Sequence, residues 1–262
     1  MQRTLSQIGT QLAAVRDRII DLAQIQRHHV VLDLNAGAGL LTWEAILQVP
    51  EGGVYACVHN SSEANALREL AATLPELMRP TVVTASITEL PAVLASQAPG
   101  VQFDCIIGRN ALMYVPDKVQ AAQIFTKLTS KSGKLILAET VPRHTQRFYR
   151  LLEANWLDAQ LYKRLVVAEE AIYTDHSDPL LNWDADDLRS TFESAGIAVK
   201  VMLERNSTQM YISSALLNRL FTANTKRQSY VDRFSQNLMP VLIPHIPHPQ
   251  LSHSKETDIF ST

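Results

Sequence analysis

The sequence predicts an α/β chain on a doubly wound, mostly parallel sheet. Three observations predict it. Short apolar runs of strand length alternate with longer stretches of helical period. Those runs are nearly continuous in Val, Ile and Leu, as strands covered on both faces require. The first run ends in Asn35-Ala-Gly-Ala-Gly39 and passes straight into a helical pattern. Sheets of this kind open a ligand crevice at such a turn.

The elements follow in order. Leu5, Ile8, Leu12, Val15, Ile19, Leu22 and Ile25 recur at spacings of three and four, one face of an amphipathic helix. His29–Leu34 is the first strand and Leu40–Leu47 a helix. Gly52-Gly53 breaks the chain before a second strand, Val54–Val58. Ser61-Ser-Glu-Ala64 starts the next helix with a hydroxyl cap and an early acid. Thr81–Ala85 is a third strand, Phe103–Ile107 a fourth, Val119–Leu128 a helix and Gly133–Ala138 a fifth strand. Residues 142–180 break the rhythm and read as a largely helical insertion. Asp184–Ala195 is a helix stopped by Gly196. Ile197–Leu203 and Gln209–Ser213 read as two strands of a closing antiparallel hairpin, which brings the expected sheet to seven strands. The domain therefore runs over residues 1–213. Residues 214–239 read as a C-terminal helix, and 240–262, with Pro240, Pro244, Pro247 and Pro249, as a tail.

Composition limits the function. The chain has 262 residues, 46% of them hydrophobic, enough to bury a full core. Its 24 Lys and Arg against 26 Asp and Glu give a net charge of −2, which argues against a globally basic nucleic-acid binder. No apolar run is long enough for a membrane span, and the N-terminus does not read as a signal peptide. Two cysteines, Cys57 and Cys105, make no disulfide framework and point to a reducing, cytoplasmic setting. Both read as small buried hydrophobes.

Three nucleotide-loop readings compete for residues 30–39. A phosphate-cradling loop needs Gly-Lys-Ser/Thr at its end, and none follows. A dinucleotide fingerprint needs a third glycine where Thr42 stands, and an acid near the end of the second strand where His59 stands. The third reading fits best. Val30-Val-Leu-Asp-Leu-Asn-Ala-Gly-Ala-Gly39 resembles motif I of the class I S-adenosylmethionine-dependent methyltransferases. Val54–Glu63, Phe103–Asp117 and Ser132–Ala138 resemble that family's second, fourth and fifth strand segments, and 197–213 its antiparallel end. The likeness covers roughly residues 10–213.

The resemblance implies a Rossmann-like methyltransferase fold, S-adenosylmethionine as cofactor and an unidentified methyl acceptor. It implies that Asp33, Gly37 and Gly39 hold the methionine end, that Asn35 and Ala36 of the same loop also contact the cofactor, that His59 or Asn60 faces the ribose, and that Ser86 and Ile87 face the adenine. Arg109 and Asn110, just past the fourth strand, are candidates for cofactor or substrate contact. The sequence also departs from the family. Asn35 stands where glycine is usual, a substitution compatible with a left-handed backbone. His59 and Ser86 replace acids that would accept hydrogen bonds from ribose and adenine. Two functions stay open: methyl transfer, or a non-catalytic binding or scaffold module with a protein partner, of the kind fused to replication and recombination AAA+ ATPases.

Other features read more plainly. Arg143, Arg147 and Arg150 are spaced as one solvated helix face. Trp43, Trp156 and Trp183 are packing residues, and Tyr114 lies near the crevice. The family's substrate lid falls in 142–180, which would bring Tyr149, Trp156 and Tyr162 to a substrate. His245, His248 and His253 lie in the tail without a fourth ligand, so no metal site is expected.

Overall fold

A computed structural model describes residues 2–153, 156–174, 178–181, 183–205, 207–209 and 258–261, with 213–215, 218, 222 and 232 besides. The chain divides into two compact units. One holds Gly9–Thr140 and Ala185–Val201; the other holds the described residues of Met1–Ile8, Val141–Asp184 and Met202–Thr262.

The first of these units is the α/β sheet. Its strands are β1 (Val30–Asp33), β2 (Gly53–Val58), β3 (Thr81–Thr84), β4 (Phe103–Arg109) and β5 (Thr129–Ala138). They pair in parallel in the order β3-β2-β1-β4-β5. Its helices are α1 (Gln2–Ala23, which begins in the other unit), α2 (Thr42–Gln48), α3 (Ser61–Ala71), α4 (Leu90–Gln97), α5 (Lys118–Leu128) and α7 (Ala185–Ser194). The other unit contains α6 (Ala159–Tyr173) and an antiparallel pair, β6 (Ser207–Gln209) with β7 (Asp258–Ser261).

Alternation along the strands builds a core on each face. Leu32 of β1 and Leu34 just past it enter one core with Phe103, Ile106, Leu112 and Phe125, which α4, α5 and α7 cover. Val31 enters the other with Ile19, Ile46, Val54 and Ile107, beneath α1 and α2. Cys57 belongs to the first core and Cys105 to the second, although their strands both flank β1. Opposite faces explain why both thiols are free. Burial in apolar surroundings pushes each thiol up to about 12.

The helix ends follow from local chemistry. α3 is capped by Asn60, whose Oδ1 accepts from the Glu63 amide at 2.9 Å, rather than by the serine hydroxyl expected from the sequence. α5 is capped by Asp117, which accepts from the Gln120 amide at 2.8 Å. α7 ends in a Schellman motif. The Ile197 amide bonds Phe192 O at 3.0 Å, the Gly196 amide bonds Glu193 O at 3.0 Å, and Gly196 takes φ +79°. Phe192 and Ile197 pack together in the core beneath it.

Three sequence expectations need correction. The sheet has five strands among the described residues, not seven. Ile197–Arg205 forms no ladder, and Ser207–Gln209 pairs with the chain's end at Asp258–Ser261 instead. Half-buried Ile197, Val199 and Val201 do alternate with exposed Ala198, Lys200 and Met202. Alternation reports one buried face, and extended chain can bury that face without ladder hydrogen bonds. Part of the expected second hairpin strand, 210–212, lies outside the described residues, as does most of the expected helix at 214–239. The second is α4, a helix at Leu90–Gln97 between β3 and β4 that was not among the expected elements. The third concerns Arg143, Arg147 and Arg150, which fall in and around two 3-10 turns, Pro142–His144 and Phe148–Leu151, and not on one helix.

Arg147 is buried, not solvated. Its Nη1 donates to Thr145 O at 2.7 Å, its Nη2 to Arg143 O at 3.0 Å and its Nε to Glu170 at 3.2 Å. Its guanidinium lies 3.5 Å from the centroid of the Tyr173 ring. Beside it, fully buried Glu169 accepts from the amides of Phe148 at 2.7 Å and Tyr149 at 2.9 Å. Arg143 pairs with Asp184 at 2.7 Å. Trp183 is buried as expected, whereas Trp156 is 56% exposed.

Candidate functional site

The candidate site lies at the carboxyl ends of the parallel strands. The order β3-β2-β1-β4-β5 reverses between β1 and β4, and ligands of such sheets bind where the order reverses. The loop from β1 to α2 lies at that point.

Asp33 closes β1 and is fully buried. Its Oδ2 accepts from the Thr42 hydroxyl at 2.7 Å, and its Oδ1 lies 3.4 Å from the Asn35 amide. It thus ties the strand to the first residue of α2 across the loop. Burial raises its carboxyl to about 6, against the lowering effect of those bonds. Thr42, where a dinucleotide loop would have glycine, is buried and serves Asp33. The loop itself needs left-handed backbone at Gly37 (φ +49°) and Gly39 (φ +90°). A side chain at Gly39 would also strike the Trp43 indole, whose Nε1 donates to Ala38 O at 3.1 Å. Ala36 is buried, and its amide bonds Cys57 O at 2.9 Å, fixing the loop to β2.

Asn35 does not take a left-handed backbone; among the described non-glycine residues only Gln24 and Asn110 do. The backbone reason for asparagine at this position is thereby corrected. Its side chain has the work: Nδ2 donates to Arg109 O at 2.9 Å and lies 3.3 Å from Asn110 O. Asn110 adopts φ +51°, and its Oδ1 accepts from the Thr140 amide and hydroxyl, both at 3.0 Å. Asn35, Arg109 and Asn110, separate candidates in the sequence, form one polar knot joining the ends of β1 and β4.

Beyond β2 and β3, Glu63 and Glu89 bring carboxylates back to the strand ends. Exposed His59 follows β2, and its amide donates to Glu63 Oε2 at 3.1 Å. The Ser86 amide and hydroxyl donate to Glu89 Oε2 at 2.9 and 2.7 Å, while Ser86 Oγ accepts from the Glu89 amide at 3.3 Å. This is a capping box, legible as Ser86-Ile-Thr-Glu89. The Ser86 bonds hold the Glu89 carboxyl below its ordinary range. Ile87 packs in the core.

Glu139 is a buried carboxyl with no signature in the sequence. It follows β5, and its Oε1 accepts from the amides of Ala111 at 2.8 Å and Leu112 at 3.2 Å. Its Oε2 is buried with no hydrogen-bond partner among the described residues. Burial raises the carboxyl to about 7, opposed by those amides and by the positive charges of Lys118 and Arg109. Tyr114 is 60% exposed. Among the described residues no group of His, Cys, Asp and Glu is placed to hold a metal ion, and the tail histidines lie outside those residues.

Comparison with solved structures places this architecture. The YcgJ protein of Bacillus subtilis matches at a TM-score of 0.52 and 16% identity, over 74% of this chain and 73% of that one. The cyclopropane synthase MmaA2 of Mycobacterium tuberculosis matches at 0.51 and 15%, over 74% and 62%. A Galdieria sulphuraria protein described as a sarcosine dimethylglycine methyltransferase matches at 0.51 and 15%, over 76% and 64%. The chain spans 35% of the length of coclaurine N-methyltransferase, with a TM-score of 0.41. No family model matches the chain, and no curated protein does. The fold is the Rossmann-like fold found in methyltransferases.

Proposed function

We propose that the chain transfers a methyl group from S-adenosylmethionine to an acceptor. The observation that carries this reading is the β1–α2 loop: left-handed Gly37 and Gly39 behind a buried acid, at the point where the strand order reverses. The methyltransferase described among the structural neighbours supports the same reading through the shared fold.

The residues present fit a nucleoside with an amino-acid arm. Gly37 leaves the backbone bare where a ligand approaches, with nothing within 4 Å of the place a Cβ would take, while Gly39 makes room for Trp43. The carboxylate of Glu63 stands at the end of β2 beside His59, and that of Glu89 at the end of β3 beside Ser86. Each uses one oxygen on its own backbone cap, and its Oε1 is the acceptor offered to hydroxyl or amine groups of the ligand. Asn60 keeps its amide nitrogen for the ribose, since its oxygen is the α3 cap. S-adenosylmethionine, when bound, supplies the sulfonium methyl as electrophile. The protein's contribution is chiefly alignment of the acceptor with that methyl. Asp33 keeps the loop in one geometry through Thr42. Glu139 is the group at the β5 end able to hold a proton near neutral pH.

Calorimetric titration of the full chain with S-adenosylmethionine and S-adenosylhomocysteine tests the proposal. Micromolar binding is the expected result and opens an acceptor screen. Absence of both heat and thermal shift up to millimolar ligand would overturn it in favour of a non-catalytic module.

A further inference from the structure

The bonds of Asn35 carry a consequence for ligand binding. β1 and β4 are neighbours, yet α2 after β1 lies on one face of the sheet and α5 after β4 on the other. The chain leaves the two strand ends in opposite directions, which is what opens the crevice. Backbone carbonyls at such an edge are acceptors for a ligand's donor groups. Here two of them, Arg109 O and Asn110 O, are taken by the Asn35 amide. Asn110 is held by bonds of its own, from its amide to Ala138 O and from Thr140 to its Oδ1, so its left-handed conformation does not depend on Asn35. Nor does the Asn35 backbone need asparagine, because its φ is not positive. The Asn35 amide that faces Asp33 would be present with any residue but proline, so what asparagine itself adds is its side chain.

We infer that Asn35 is a built-in occupant of the crevice: its amide takes the carbonyls of Arg109 and Asn110 that the ammonium of an adenosyl amino acid would otherwise use. The inference rests on the nucleoside-binding reading above and deepens it. An amide is a neutral donor, whereas an ammonium makes charge-assisted bonds roughly twice as strong. A ligand can therefore displace Asn35, but it loses part of its binding energy in doing so. The amino-acid arm adds little to affinity in this chain, and the nucleoside supplies most of it.

The test uses the full chain and two ligands. S-adenosylhomocysteine carries the ammonium; methylthioadenosine is the same thioether nucleoside without the amino-acid arm. Wild type is expected to bind the two within about threefold of each other, well under the roughly tenfold step of one good charge-assisted bond. Asn35→Gly and Asn35→Ala are expected to bind S-adenosylhomocysteine roughly tenfold tighter, with methylthioadenosine affinity unchanged. Circular dichroism confirms that the variants fold, and the wild-type comparison stands if they do not. If wild type already prefers S-adenosylhomocysteine by tenfold or more, or folded variants show no gain while methylthioadenosine still binds, the Asn35 inference is overturned and the nucleoside reading survives. If neither ligand binds any form, the functional reading fails and this inference with it.

Discussion

Asp33 and Glu139 are both buried carboxyls, but they are satisfied differently. Asp33 has a hydroxyl on one oxygen and a nearby amide on the other. Thr42→Val removes the hydroxyl while keeping the shape, leaving Oδ2 buried without its donor. The variant should lose about 1–3 kcal/mol, read as a lower midpoint in urea with an unchanged slope. Glu139 has two amides on one oxygen and none on the other. The proton therefore sits on Oε2, and its loss leaves a poorly satisfied charge. The sign is fixed by linkage. A carboxyl raised from its ordinary value of 4.5 to about 7 holds more proton folded than unfolded between those values. The stability it contributes is full below pH 4.5 and falls as pH rises to 7, by at most about 3 kcal/mol. Glu139→Gln cannot titrate, so it should lose this slope. Melting temperatures from pH 4.5 to 8 check it: wild type should fall relative to the variant as pH rises, and parallel curves would reject the assignment. The sequence shows an acid in Asp33 and a motif around it, because loop chemistry is local. Glu139 is invisible there, because its partners at 111 and 112 come from another loop.

At the scale of elements, what the sequence displays is what the chain settles within a few residues. Gly196 after a helical run was legible as a stop, and the Schellman motif bears it out. Gly196→Ala puts a Cβ on a φ of +79°, a cost of about 1 kcal/mol. Nothing lies within 4 Å of that Cβ, so the loss should come from the backbone alone and Asn should recover part of it. Thermal unfolding of the two variants separates them. The segment around Arg147 is the opposite case. Spacing of i, i+4 and i+7 suggested one helix face, but the turns there are 3-10, and the guanidinium is enclosed by carbonyls, Glu170 and Tyr173. Composition could not show this, since the carboxylate is 23 residues away. Arg147→Lys keeps the charge but cannot reproduce the fork or the stacking. Arg147 is buried but Glu170 is 40% exposed, so the variant should destabilise by about 1–3 kcal/mol, mainly through the buried carbonyls left without their donors. Far-UV circular dichroism against denaturant measures it.

For the molecule as a whole, the two cores on opposite faces of one sheet raise the question of whether they open together. The strand alternation that separates them was readable residue by residue. The closing hairpin was not, because one-sided burial near 197–201 resembles a strand whether or not a partner is present. Cys57 and Cys105 report on the two cores separately, since one lies in each and both are buried to 1% or less. A thiolate is the reactive form, and burial holds both thiols far above neutral pH, so labelling requires opening. β1 supplies side chains to both cores, with Leu32 on one face and Val31 on the other. Opening either core to the depth of its cysteine strips one face of β1, and the strand has only four residues over which to hold the other. The cores should therefore open as one cooperative unit. Cys57→Ala and Cys105→Ala each leave a single reporter. The remaining thiol in each should react with a disulfide reagent at rates whose urea dependence equals the slope for global unfolding of that variant. A shallower dependence for Cys105 alone would mean that the α1–α2 side opens by itself, and that β1 is held by the α4–α5–α7 side.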